Sequence, residues 1–110
     1  MRKGGCFMGY KTKRSRATDI PRAVKKAVMR RDDGQCIFCG RLGYPNAHVI
    51  PRSHGGLGIE TNIVTACFEC HERMDHTLDR KIYLDAARRY LKEHYDGWKE
   101  EDQVYRKGQL

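Results

Sequence analysis

At 110 residues the chain has room for one small domain, and with 39% hydrophobic and 33% charged residues it can bury only a modest core. No apolar run approaches the roughly 18 residues that span a bilayer, and the basic start Met1-Arg-Lys-Gly-Gly-Cys is not followed by a signal-peptide stretch. The net charge of +8 is concentrated in the first third, where residues 1–31 hold 11 Lys and Arg against one acid, Asp19. Such asymmetry suits a polyanionic partner, most often nucleic acid; a solvated basic tail is the duller alternative.

Residues 1–17 lack hydrophobic periodicity and read as a basic flexible arm, with Cys6 as a free thiol. Thr18-Asp19-Ile20-Pro21 predicts a helix start, and Val24, Ala27 and Val28 give a short amphipathic helix to about Arg31. Gly34 suits the left-handed residue that ends it. Cys36-Ile37-Phe38-Cys39-Gly40 forms a knuckle. Pro45 to Pro51 holds an extended run centred on His48-Val49-Ile50. The loop Arg52-Ser53-His54-Gly55-Gly56-Leu57-Gly58 follows, its glycines letting backbone pass close to something. Asn62 to Cys67 is a second apolar strand. A helix from Phe68 should carry Cys70, His71 and Asp75. A last helix, about Leu78 to Tyr95, aligns Tyr83, Ala87, Tyr90, Leu91 and His94 on one side.

The strongest signal lies in the cysteines. The Cys-x-x-Cys pairs Cys36/Cys39 and Cys67/Cys70 stand 27 residues apart, and four thiolates can close a tetrahedral structural zinc site. In the reducing cytoplasm, where the chain is expected, such pairs favour metal over disulfides. A redox protein is a distant alternative, because no thioredoxin-like βαβ pattern surrounds either pair.

With those cysteines, Ala47-His48-Val49-Ile50-Pro51-Arg52, Gly55-Gly56, Asn62-Ile63-Val64 and Cys67-x-x-Cys70-His71 resemble the HNH nuclease family over about residues 18–77. The resemblance implies an α+β fold: a small zinc-stapled ββα-metal core with flanking helices behind the basic N-terminal arm. The domain would run from 18 to 110, with its core at 18–77 and a C-terminal helix and tail at 78–110. It implies a metal-dependent DNA endonuclease that nicks one strand per active site. His48 would be the general base that activates water. Asn62 would orient the base-bearing strand or assist at the metal, and His71 would be a metal ligand. Beside the structural zinc, a catalytic divalent cation such as Mg2+, Mn2+ or Ni2+ is expected.

Many relatives place Asp or His just before the base, where this chain has Ala47. The second metal ligand is therefore sought in Asp75, one helical turn from His71, or in His76 if the helix has ended there. Asn46 is a third candidate that would have to point to the opposite side of a regular strand. His54 reads as a phosphate contact or bystander. Arg14, Arg16, Arg22, Lys25, Lys26 and Arg52 are the expected DNA contacts. Tyr90-Leu91-Lys92, Gly97-Trp98 and Glu100-Glu101-Asp102 resemble the tails of small phage and prophage HNH proteins. That likeness implies a phage- or prophage-encoded protein acting beside the terminase large subunit in DNA packaging, in the bacterial host cytoplasm and without membrane. The alternative is a non-catalytic zinc-knuckle module that binds nucleic acid, which needs the cysteines and the arm but has no use for His48, Asn62 or His71.

Overall fold

The structure, a computed structural model, describes residues 12–76 and 78–106. Most of the sequence-predicted arm, with Cys6, lies outside the described residues. Its end does not continue as arm: Lys13–Thr18 form a short helix, α1, whose first turn is capped by the Thr12 hydroxyl accepting from the Ser15 amide at 2.9 Å. Thr18 thus ends one helix rather than starting the next. The second helix, α2 (Arg22–Asp32), begins after Pro21 and ends on Asp33, which takes the left-handed conformation (φ 58°) ahead of Gly34. Of its predicted apolar positions only Val28 is fully buried; Val24 and Ala27 are half-buried.

Two antiparallel strands follow, β1 (Tyr44–His48) and β2 (Ile63–Ala66), with Ala47 opposite Val64 and His48 opposite Ile63. An extra residue between Tyr44 and Ala47 makes a bulge in β1. β2 reads Ile-Val-Thr-Ala and is buried on both faces, so it lacks the alternation of a half-exposed strand. Helix α3 (Phe68–His76) buries Cys70 and Met74, and α4 (Arg80–His94) buries Ala87 and Leu91. With Ala47, Val49, Val64 and Ala66 these side chains form the core. Phe38 of the knuckle reaches the same core and meets Tyr83 of α4 with ring centroids 4.9 Å apart.

A buried polar hub joins α2, β2 and α4. The Asp32 carboxylate, fully shielded from solvent, accepts two bonds from the Arg31 guanidinium at 2.7 and 2.9 Å. It also accepts from the Tyr90 hydroxyl and from the Thr65 amide. Burial opposes its charge, but the Arg31 fork and the Tyr90 hydroxyl outweigh burial and hold its pKa below the usual carboxylate value. The same burial and the bond to Asp32 push Tyr90 up to about 12. Arg31 also donates to the carbonyls of Glu60 and Ile63 and lies over the rings of Tyr90 and Tyr95.

Removing one partner of a buried pair leaves the other uncompensated. Asp32→Ala is therefore expected to lose about 3–5 kcal/mol of stability, read from urea or guanidinium unfolding. Because the folded pKa is depressed, the wild-type carboxylate stabilises above its unfolded value near 3.9. That stabilisation fades as pH falls through the lower folded value. The Asp32→Ala penalty should shrink accordingly in acid.

Candidate active site

The four predicted cysteine ligands come together. Their sulfurs lie within 4.8 Å of one another, and Cys39 and Cys67 are 3.6 Å apart. Zinc–sulfur bonds of about 2.3 Å in a tetrahedron put sulfurs about 3.8 Å apart, so the set fits a structural zinc ion. The first knuckle is closed by the Gly40 amide donating to the Cys36 carbonyl at 2.9 Å. In the second, the Cys70 amide points at the Cys67 sulfur at 3.4 Å. Burial raises the Cys36 thiol, but amide hydrogen bonds at Cys67, Cys39 and Phe38 prevail and draw it down to about 7, toward the thiolate that metal needs.

Beside this cluster a cavity of about 760 Å³ opens between the end of β1, α2, the Arg52–His54 turn and α3. His48, His71, Asp75 and His76 all line it, with Lys25 and Arg52 from the expected DNA contacts. His48 is half-buried, and its Nε2 is 2.8 Å from the Thr18 carbonyl oxygen. A carbonyl can only accept, so Nε2 carries the proton and Nδ1 keeps its lone pair. Burial lowers the His48 pKa, and the neighbouring Arg52 and His71 lower it further, against the Thr18 carbonyl and Asp19. The imidazole is thus held neutral, in one tautomer, with a basic nitrogen to spare.

His71 Nδ1 and an Asp75 oxygen stand 3.5 Å apart across one helical turn, both partly exposed. Adjacent ligands of an octahedral magnesium-type ion lie about 3 Å apart, so this pair fits two positions of a hydrated divalent cation. The helix ends at His76, which lets that residue face the cavity despite its poor helical angle. Among the described residues the cysteines are the one cluster of three or more metal donors, so His71, Asp75 and His76 do not form a closed cage.

Several expected positions differ. Asn46 has not turned to the opposite side: it lines the cavity with His48, two residues along β1 and so on the same strand face. Ala47 faces the core, fully buried with Val49 and Val64, so a carboxylate there would enter apolar packing rather than reach an ion in the cavity. Asn62 is fully buried and does not line the cavity. Its amide accepts from Ile50 N–H at 2.9 Å and donates to the carbonyls of Ile50 at 3.2 Å and Leu57 at 2.9 Å, pinning the loop after β1. The Arg14 guanidinium bonds the carbonyls of Arg52 and Ser53, tying α1 to the same loop. Arg52 pairs with Asp19. Arg22, Lys25 and Lys26 stand together on exposed α2, while Arg16 lines a separate groove beside Lys13 and Tyr105. The loop glycines make room for the chain itself: a Cβ on Gly56 would fall 1.6 Å from the Ile50 carbonyl oxygen, and one on Gly58 1.8 Å from that of Asp19. Arg80, at the start of α4, also lines the cavity; it is a lone arginine that belongs to no motif, so the sequence does not single it out.

Residues 36–85, which hold the cysteines, the two strands, α3 and the start of α4, match the family model described as HNH endonuclease. This span belongs to the HNH endonuclease family. The family acts as nucleases, which makes DNA the substrate class that it implies. No curated protein matches the chain. Among the described residues no helix is long and apolar enough to cross a membrane.

Loss of a cysteine should expose how far this core leans on a metal held by the four cysteines, since structural zinc contributes roughly 10–16 kcal/mol of apparent folding energy in small domains. Cys70→Ser is expected to bind no zinc stoichiometrically and to lose near-ultraviolet circular dichroism. A well-folded, metal-free Cys70→Ser protein would show that the cluster is dispensable.

Proposed function

We infer that the protein is a metal-dependent DNA endonuclease that nicks one strand at a time, with His48 as general base. The observation that carries this reading is the Thr18 carbonyl on His48 Nε2, which leaves Nδ1 as the proton acceptor of a residue that lines one cavity with His71. His48 Nδ1 takes a proton from water as the oxygen attacks the scissile phosphorus. His71, with Asp75 or His76, would hold the divalent cation, whose chemistry is to stabilise negative charge on the phosphoryl and leaving oxygens. Asn62 acts here as a positioning residue, holding the backbone between Ile50 and Leu57 through three hydrogen bonds. Lys25 at the cavity, Arg22 and Lys26 on α2, and the basic residues of the arm with Arg16 supply phosphate contacts, while Arg14 and Arg52 are held by the Arg52–Ser53 carbonyls and by Asp19. One site built on His48 and His71 per chain supports nicking. A place beside a phage terminase in genome packaging rests on the likeness of the C-terminal tail alone.

Plasmid nicking with a divalent metal is the direct test. His48→Ala should keep zinc, fold and DNA affinity while slowing cleavage about 10²–10⁴-fold. Metal-dependent nicking that survives in His48→Ala would move the chemistry elsewhere. Because the His48 pKa is depressed, the neutral base persists below the ordinary histidine value near 6.5. The acid limb of kcat/KM against pH should therefore have its midpoint under that value.

The basic face is tested by salt. Replacing Arg22, Lys25 and Lys26 together by Ser should weaken binding at every DNA sequence. The slope of log K against log salt should become shallower by about 0.9 for each phosphate that these side chains neutralise in the wild type. An unchanged slope would remove α2 from the interface.

A further inference from the structure

Four of the five histidines of the chain, His48, His54, His71 and His76, line the one cavity. The base and the metal ligands account for three of them. His54 ends the 3-10 turn Arg52–His54, and that turn is anchored from several directions. The His54 and Gly56 amides both donate to the Pro51 carbonyl at 2.9 Å, and Gly55 donates to Arg52 at 2.9 Å. Arg14 holds two carbonyls of the turn from α1, and the Tyr105 amide holds the Gly55 carbonyl at 2.7 Å from the far end of the chain. A surface connection has no need of such anchoring; its effect is to fix where the turn's side chains stand. Arg52 is engaged by Asp19. The exposed His54 imidazole has no hydrogen bond or ion pair among the described residues, and it belongs to no cluster of three metal donors there. Among the described residues its ring nitrogens are unengaged, at the wall of the cavity that holds His48 and His71.

We propose that His54 is the general acid of the reaction, protonating the 3′ oxygen as it leaves phosphorus. The proposal rests on the nuclease reading. The bond from the water oxygen to phosphorus forms while the bond from phosphorus to O3′ breaks, its electron pair passing to O3′. His48 Nδ1 gains the water proton and the His54 imidazolium gives its proton to O3′, leaving a 5′ phosphate and a 3′ hydroxyl. The two imidazoles then exchange protons with solvent, so the balance closes as hydrolysis. A 3′ alkoxide is a poor leaving group, and an acid placed on it contributes about 10²–10⁴ in rate.

The test compares the zinc-loaded full chain with His54→Gln and His54→Ala on duplex DNA with Mn2+ added. One linkage is made with oxygen or with sulfur in the 3′ bridging position. A thiolate leaves without protonation, so the variants should lose about 10²–10⁴-fold on the oxygen linkage and cut the sulfur linkage at the wild-type rate. Equal slowing of both linkages would make His54 a phosphate contact and overturn the proposal, as would full activity on oxygen. Thermal melting and zinc content are expected to match wild type; a variant that fails to fold would show a structural role instead. If the wild-type protein cuts neither linkage with any divalent ion, the nuclease reading itself falls and takes this proposal with it. That outcome is distinct from equal cutting by wild type and variant.

Discussion

The Asp32 carboxylate is the point on which three elements converge. The chain has few apolar side chains, and a core of this size holds elements together without dictating how they are registered. Asp32 supplies direction: its oxygens accept from one guanidinium, one phenol and one strand amide, each from a fixed side. Thr65, whose amide it holds, also gives its carbonyl to the Ile37 amide of the first knuckle at 3.0 Å. The edge of β2 away from β1 is thus occupied by α2 and by the knuckle. A two-stranded sheet is marginal by itself, and this one is secured on the edge that would otherwise be open. The cysteine cluster's second pair begins at Cys67, two residues past Thr65, so the polar hub and the metal site grip the same short strand.

The cavity is positioned in large part by main-chain groups. Thr18 contributes a carbonyl to His48, and Asn62 reads both peptide groups of Ile50. The Ile50 and Asp19 carbonyls press so closely on Gly56 and Gly58 that no side chain fits there. The side chains that meet a substrate are therefore carried on backbone held in place before anything binds. This is the form of preorganisation that lets a small domain place reacting groups with little cost at the moment of reaction.

What is legible in the sequence follows from which interactions leave a local trace. The Cys-x-x-Cys pairs, the apolar strand Ile63–Ala66 and the helix through His71 and Asp75 each repeat a spacing set by local geometry, and each appears where its spacing puts it. Strand alternation likewise puts Asn46 and His48, two residues apart, on one face and Ala47 on the other, which is where they stand. Thr18 reads as a cap, because a capping side chain is visible in sequence and a carbonyl acceptor is common to every residue. Arg14 looks like a phosphate contact; its commitment to Arg52 and Ser53, 38 and 39 residues away, has no sequence signature. Arg80 and the Arg31–Asp32–Tyr90 hub are hidden for the same reason, since their partners are brought near only by the folded chain.

The turn that carries Arg52 and His54 has a distant companion. Gly56 is bridged to Val104, the Leu57 amide bonds the Gln103 carbonyl, and the Tyr105 amide bonds Gly55, so residues 55–57 and 103–105 run as two sides of one irregular ladder. The C-terminal segment is in this sense a mechanical handle on the cavity wall. A purification tag, fusion partner or crosslink attached just beyond Arg106 would transmit tension or steric load directly to that wall. Trimming the chain back past Gln103 would unzip the ladder and loosen Arg52 and His54 while leaving the cysteine cluster intact.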